Sequence, residues 1–196
     1  MADERTANDA SGAPAAGARV HVTSMDGARY LDRATADSMG RFDLRVPAGA
    51  VRLVGWRAGS APTPAVSVAA ETSTASLVFP PEGSIAVEAT DAATEAALPV
   101  RVQVIPVGAP APSLPESHGE PVAAYGRLRV AFPTDGRVTL PAAPGSYRVV
   151  VSRGPFYDLS DTTVTVTAGM STRVPVRLRR VVETPGVLCG DFHIHT

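Results

Sequence analysis

The feature that most limits the fold is the spacing of apolar residues. They come in short, β-branched runs broken by Gly, Pro, Asp or Ser, and within a run they recur at every second position, as in Ala18-Arg19-Val20-His21-Val22-Thr23. No long stretch places them at i, i+3, i+4 and i+7. Side chains alternate across a strand but follow a 3.6-residue period on a helix, so the pattern predicts an all-β chain. The expected strands are 18–23, 30–36, 41–46, 51–57, 65–69 and 75–79, followed by 84–89, 100–105, 125–132, 137–140, 147–152, 162–166 and 172–178. Short strands at near-regular spacing suit a sandwich or barrel. Pro80-Pro81-Glu82-Gly83 reads as a linker between the two sets, and the proline-rich stretch 106–124 reads as an exposed loop.

The two sets are related. With residues 39–57 placed over 135–153, an offset of 96, seven of nineteen positions are identical: Gly40/Gly136, Arg41/Arg137, Leu44/Leu140, Gly49/Gly145, Arg52/Arg148, Val54/Val150 and Arg57/Arg153. The shared glycines fall where tight turns need backbone angles that other residues adopt at a cost. The repeat predicts a duplicated β-module rather than one large domain, residues 1–80 and 81–183.

Composition narrows the partners. The chain has 196 residues and a formal net charge of -1, with all 18 basic residues arginine and none in a long run. A nucleic-acid footprint needs clustered positive charge, so no nucleic-acid partner is expected. Cys189 is the only cysteine, which excludes an intramolecular disulfide; it reads as small buried filler. No apolar run reaches the roughly 18 residues of a membrane span. Met1-Ala2-Asp3-Glu4-Arg5 is acidic and polar and does not read as a signal peptide. The compartment is left open, with an extracytoplasmic parent protein as one alternative.

The residues that carry chemistry come last. Gly186 to His195 reads as a buried strand, on which Asp191, His193 and His195 share one face. Two imidazoles at i and i+2 beside a carboxylate can converge on one divalent cation. The competing reading is a terminal strand with two exposed histidines. Elsewhere His21 reads as a structural strand residue, His118 as a solvated loop residue, Asp158 and Asp161 as loop carboxylates, and Trp56 as core filler.

Two stretches of the first set, Pro14 to Val22 and Met39 to Gly49, with Leu98 to Val102 and Asp135 to Val138 in the second, resemble the carboxypeptidase regulatory-like (transthyretin-like) family of accessory Greek-key sandwiches, which implies two tandem Greek-key β-sandwich modules. Such modules open with a strand before the Pro-x-x-Gly-Ala segment. Residues 1–17 are small and polar, so the first module is expected to lack that strand, with Met1 lying inside it. The later order is Ser152 to Tyr157, Leu178 to Val181, Thr184-Pro185-Gly186, then Gly190 to Thr196. It resembles the N-terminal part of the CehA/McbA-like branch of the PHP metallohydrolases. The resemblance implies that His193 and His195 are metal ligands and that Asp191 acts directly or behind them. It implies a divalent metal (Zn, Mn or Fe) in the parent protein, and as partners the rest of a PHP barrel and a small ester or phosphoester substrate. On this reading residues 184–196 open the PHP domain with the first strand of a missing β/α barrel, and the chain is the accessory region and first ligand strand of a hydrolase. It is inactive as it stands, with no complete catalytic set and no stably bound metal. The alternative is a non-catalytic β-sandwich module, binding or structural, for a protein or glycan partner.

Overall fold

The computed structural model describes residues 4–45, 49–69, 74–108, 114–120 and 127–186. The first part contains β1 (Glu4–Asn8), β2 (Arg19–Ser24), β3 (Tyr30–Thr35), β4 (Val51–Trp56), β5 (Val66–Val68) and β6 (Thr74–Val78). The second contains β7 (Gly83–Asp91), β8 (Arg101–Pro106), β9 (Arg129–Ala131), β10 (Arg137–Ala142), β11 (Gly145–Ser152), β12 (Ser160–Val166) and β13 (Ser171–Leu178). One short 3-10 turn, Glu116–His118, lies between β8 and β9. The chain is all-β, as the alternation requires.

Each part is a two-sheet sandwich. In the first, β3-β2-β4-β5 faces the parallel pair β1-β6; in the second, β9-β8-β11-β12 faces β10-β7-β13, with β7 and β13 parallel. In both four-stranded sheets the chain returns beside the earlier strand of the first hairpin, a non-sequential Greek-key order. Inward positions alternate with exposed ones, as in β6, where Ala75 and Leu77 are buried between exposed Thr74, Ser76 and Val78. The first core gathers Val20, Val22, Leu53, Leu77 and Phe79; the second gathers Ile85, Val102, Val149, Val151 and Leu178. Each fully buried aliphatic side chain of this kind contributes about 1.5–3 kcal/mol.

The repeat extends to the hydrogen bonds. Gly40 and Gly136 both lie in left-handed backbone, at φ 73° and 75°. Gly40 carbonyl oxygen accepts from Ala7 N at 2.8 Å, and Gly136 carbonyl oxygen accepts from Ala89 N at 2.8 Å. A Cβ on either glycine would come within 2.5 Å of a backbone oxygen, that of Ala7 or of Ala89. Ala7 therefore corresponds to Ala89, an offset of 82, while the glycines lie 96 apart. The β2–β4 pairing of Arg19 with Trp56 and the β8–β11 pairing of Arg101 with Ser152 repeat the same two offsets. Between these landmarks the second module is fourteen residues longer, and the surplus falls in the β8–β9 connection.

Three expectations change. The polar N-terminal stretch does supply an opening strand: β1 pairs in parallel with β6, and Ala7 is fully buried. Its one inward alanine suffices because the neighbouring contacts are backbone hydrogen bonds. The strand expected at 41–46 is reduced among the described residues to a single bridge between Thr6 and Arg41, although Phe42 and Leu44 are buried. The linker is also not free, since Gly83 already begins β7 and Glu82 is fastened to the first module as described below.

Candidate functional site

The surplus connection builds the most unusual site of the molecule. On β2, Val20 and Val22 point into the core, which sends His21 to the outer face of the sheet. An outer face of a sandwich normally meets water, yet His21 is 0% exposed and Thr23 is buried beside it. The cover comes from residues 114–120 of the other module. The 3-10 turn ends at Gly119, whose φ of 68° lets the chain reverse. His118 and Glu120, on either side of it, are both buried.

Each neighbour of His21 has a local cause. β3 advances two residues for one of β2 where Val22 pairs with Asp32 and Thr23 with Tyr30; such an irregularity re-aims a side chain. The Tyr30 hydroxyl lies 2.9 Å from His21 Nδ1. The His118 ring centroid is 5.1 Å from those of both His21 and Tyr30. Arg19 Nη1 donates to Glu120 Oε2 at 2.5 Å, and Arg33 Nη1 is 3.8 Å from Oε1. Glu120 Oε1 also lies 2.9 Å from His21 Nε2. That approach is out of line for a hydrogen bond, and these two are the buried side-chain polar atoms without a hydrogen-bond partner among the described residues. The Arg19 guanidinium in turn sits 5.5 Å above the Trp56 ring, a cation–π contact.

Burial pushes His21 down to about 4, and the charges of His118, Arg33 and Arg19 push the same way. Burial also lowers His118, against an opposing pull from Glu120. Tyr30 is raised, chiefly by burial. His21 is therefore neutral near pH 7. The tautomer that suits both neighbours keeps its proton on Nε2, toward the carboxylate, and accepts from Tyr30 on Nδ1. Glu120 keeps two guanidinium groups close, so the cluster is an ion-paired junction.

Its chemistry is limited. Ser117 Oγ is 3.4 Å from His118 Nδ1, the outer edge of hydrogen-bond reach, and no carboxylate hydrogen-bonds to His118 among the described residues. This is not the oriented nucleophile–base pair that covalent catalysis requires. No group of three or more His, Cys, Asp or Glu side chains is placed to hold a metal among the described residues. The two arginines at Glu120 already supply the positive charge that a cation would bring. Beside the junction lies an open groove of about 520 Å³ lined by Tyr30, Asp32, Arg33, Ser117 and His118.

Two further contacts join the modules. Arg57 Nη2 donates to Glu82 Oε1 at 2.6 Å, Arg57 Nε donates to Ser60 Oγ at 3.0 Å, and the Ser60 hydroxyl donates to Glu82 Oε2. Arg129 Nη1 donates to the Ala58 carbonyl at 3.0 Å. Between them Gly59 passes so close to β10 that a Cβ there would lie 2.7 Å from the Pro141 carbonyl oxygen.

The sequence readings can now be placed. Asp191, His193 and His195, with Cys189, lie outside the described residues. His118 is not a solvated loop residue, because its turn docks on the first module. His21 is structural in position but belongs to a cross-module cluster. Trp56 is half-buried on the outer face, since its neighbour Gly55 takes the inward position. Asp158 and Asp161 are loop and strand carboxylates: Asp158 Oδ1 accepts from Arg179 N at 2.7 Å, and Asp161 pairs with Arg148. Glu120 went unrecognised. The one sign of it in the sequence was the extra length of the second module's β8–β9 connection.

No family model matches the chain, and no curated protein matches it. Similar solved structures include the minor pilin GBS52 of Streptococcus agalactiae, at 14% identity over 95% of this chain and 99% of that one, with a TM-score of 0.39. A streptococcal ancillary pilin has 18% identity over 91% and 62%, with a TM-score of 0.38. A double mutant of the shaft pilin SpaA from Lactobacillus rhamnosus GG has 12% identity over 92% and 97%, with a TM-score of 0.48. Neither resemblance drawn from the sequence survives: no family model, carboxypeptidase regulatory-like or PHP, matches the chain. Two of the segments that carried the PHP resemblance, 152–157 and 178–181, have a local role in the second sandwich, while 190–196 lies outside the described residues. Tyr157 bridges to Arg180 and donates its hydroxyl to Asp91 Oδ2 at 3.1 Å, and Val181 N donates to the Phe156 carbonyl at 2.8 Å. They close the end of that sandwich. What stands is the β-sandwich architecture.

Proposed function

We propose that the chain is a non-catalytic structural region, two β-sandwich modules that divide near residue 80 and are fastened into one stiff unit. The observation that carries this is Glu120. It belongs to the second module, its side chain is 3% exposed, and its charge is answered by Arg19 and Arg33 of the first. A buried carboxylate is costly unless its partners stay in place, so the pairing favours one fixed arrangement of the modules. The Arg57–Ser60–Glu82 contact and the two prolines before Glu82 support the same reading by removing freedom from the connection. A stiff pair of sandwiches holds its outer surfaces at a set spacing, which suits a spacer or platform for a protein or glycan partner. Small-angle scattering tests it. The wild type is expected to give one compact two-lobed particle, and Glu120→Ala a larger radius of gyration with signs of flexibility. A flexible wild type, indistinguishable from the variant, contradicts the proposal.

A further inference from the structure

We propose that the junction is an acid-released latch: it stays closed while His21 and His118 are neutral, and a proton on either opens it by adding positive charge among Arg19, Arg33 and their single carboxylate, Glu120. The inference rests on the two-module reading above and adds a regulation to that site.

The geometry gives the latch its polarity. His21 faces Arg19 on its own strand, Tyr30 and Arg33 on β3, and His118 and Glu120 on the 114–120 loop; its partner on β4 is the uncharged Val54. With both histidines neutral, the cluster holds two guanidinium groups and one carboxylate. A proton on His21 makes three positive charges to one negative; His21 and Glu120 are sealed from solvent, while Arg19 and Arg33 are partly exposed and so partly screened. The two imidazoles also face each other, so charging one raises the cost of charging the second. Opening the junction returns His21 to water on the outer face of β2 and separates it from His118. Among the described residues the opening breaks no strand pairing, because 114–120 meets the first module through side chains.

The sign follows from linkage. Closed, His21 is depressed to about 4; open, it returns toward its ordinary 6.5. Between those values the open state binds more protons, so the closed state loses ground as pH falls, about tenfold per unit for one proton. Between pH 6.5 and 4 that is a loss of about 80-fold, out of a total of about 300-fold over the whole titration, with His118 acting in the same direction. Below pH 4 the His21 contribution levels off.

Hydrogen exchange on the full chain, corrected for intrinsic exchange rates, provides the test between pH 7.5 and 4. The His118 and Gly119 amides, whose turn is held against the first module, are expected to lose protection below pH 6.5 while Val22 and Val149 in the cores keep theirs. His21→Gln retains polar groups toward Tyr30 and Glu120 without titrating, and is expected to flatten most of the pH dependence; adding His118→Gln removes the rest. Titration of the His21 ring by NMR in the wild type gives the same answer should the variants fold poorly. Equal protection of the turn at pH 7.5 and 4, an ordinary His21 titration near 6.5, or an unchanged slope in the doubly substituted chain overturns the latch alone. A turn already unprotected at pH 7.5 overturns the fastened two-module reading as well.

Discussion

The two modules share the strand order of their four-stranded sheets and the register of the central pair, yet the same position has a different fate in each. His21 on β2 corresponds to Gln103 on β8, since Arg19 and Arg101 begin the two strands in equivalent pairings. Gln103 is half-buried and accepts a hydrogen bond from Arg127 Nη1 at 3.1 Å. His21 is sealed under a loop that the other module alone possesses. The scaffold is therefore duplicated and the specialisation is not: fourteen added residues in one connection convert an ordinary outer sheet face into a junction. Long connections in compact domains are commonly where function resides, and here the connection reaches back to the neighbouring module.

If the modules are truly equivalent in build, matched substitutions must act alike. The largest effects are expected at Phe79 and Leu178, which close the same end of each core and are 0% and 1% exposed. Phe79→Ala should cost about 3–5 kcal/mol and Leu178→Ala about 2–5 kcal/mol, measured by urea unfolding. A near-neutral result at either position breaks the structural correspondence. Next come Gly40→Ala and Gly136→Ala, each forcing a Cβ against a backbone oxygen in left-handed backbone. Both should lose about 2 kcal/mol or more, by similar amounts; a clear inequality would show that the repeated turns are not built alike.

The junction should break the symmetry instead. Glu120→Ala is expected to cost about 2 kcal/mol, toward the lower end for a broken buried pair because Arg19 and Arg33 are 37% and 47% exposed. The loss should appear partly as lower stability of the first module, to which the residue does not belong, read by Trp56 fluorescence. Gln103→Ala, the matched position, should change stability by about 0.5 kcal/mol or less. The smallest effect is expected at the exposed Arg137–Glu88 pair, where Glu88→Gln should shift stability by no more than about 0.5 kcal/mol in a urea titration.

How much of this was legible follows from which interactions are local. Alternation and turn chemistry act over a few residues, and the strands and the Gly40/Gly136 turns could be read from them. β1 was missed because its place depends on backbone pairing with β6, about seventy residues away, which Glu4-Arg5-Thr6-Ala7-Asn8 does not advertise. The junction was missed for the same reason on a larger scale. His21 and Glu120 are separated by 99 positions, and neither sits in a motif. The Asp191, His193 and His195 reading drew on a local pattern and a resemblance, and those residues lie outside the described ones. The loop surplus, visible when the two copies are compared by length, was the long-range signal the chain did carry.

The central claim is that the modules hold one fixed relation through the Glu120 junction, and residual dipolar couplings test it most directly. Couplings from β2, β4 and β6 of the first module and from β8, β11 and β13 of the second, measured at pH 7.5 in one aligned sample, are expected to fit a single alignment tensor in the wild type and two unequal tensors in Glu120→Ala. Two unequal tensors in the wild type itself would contradict the account.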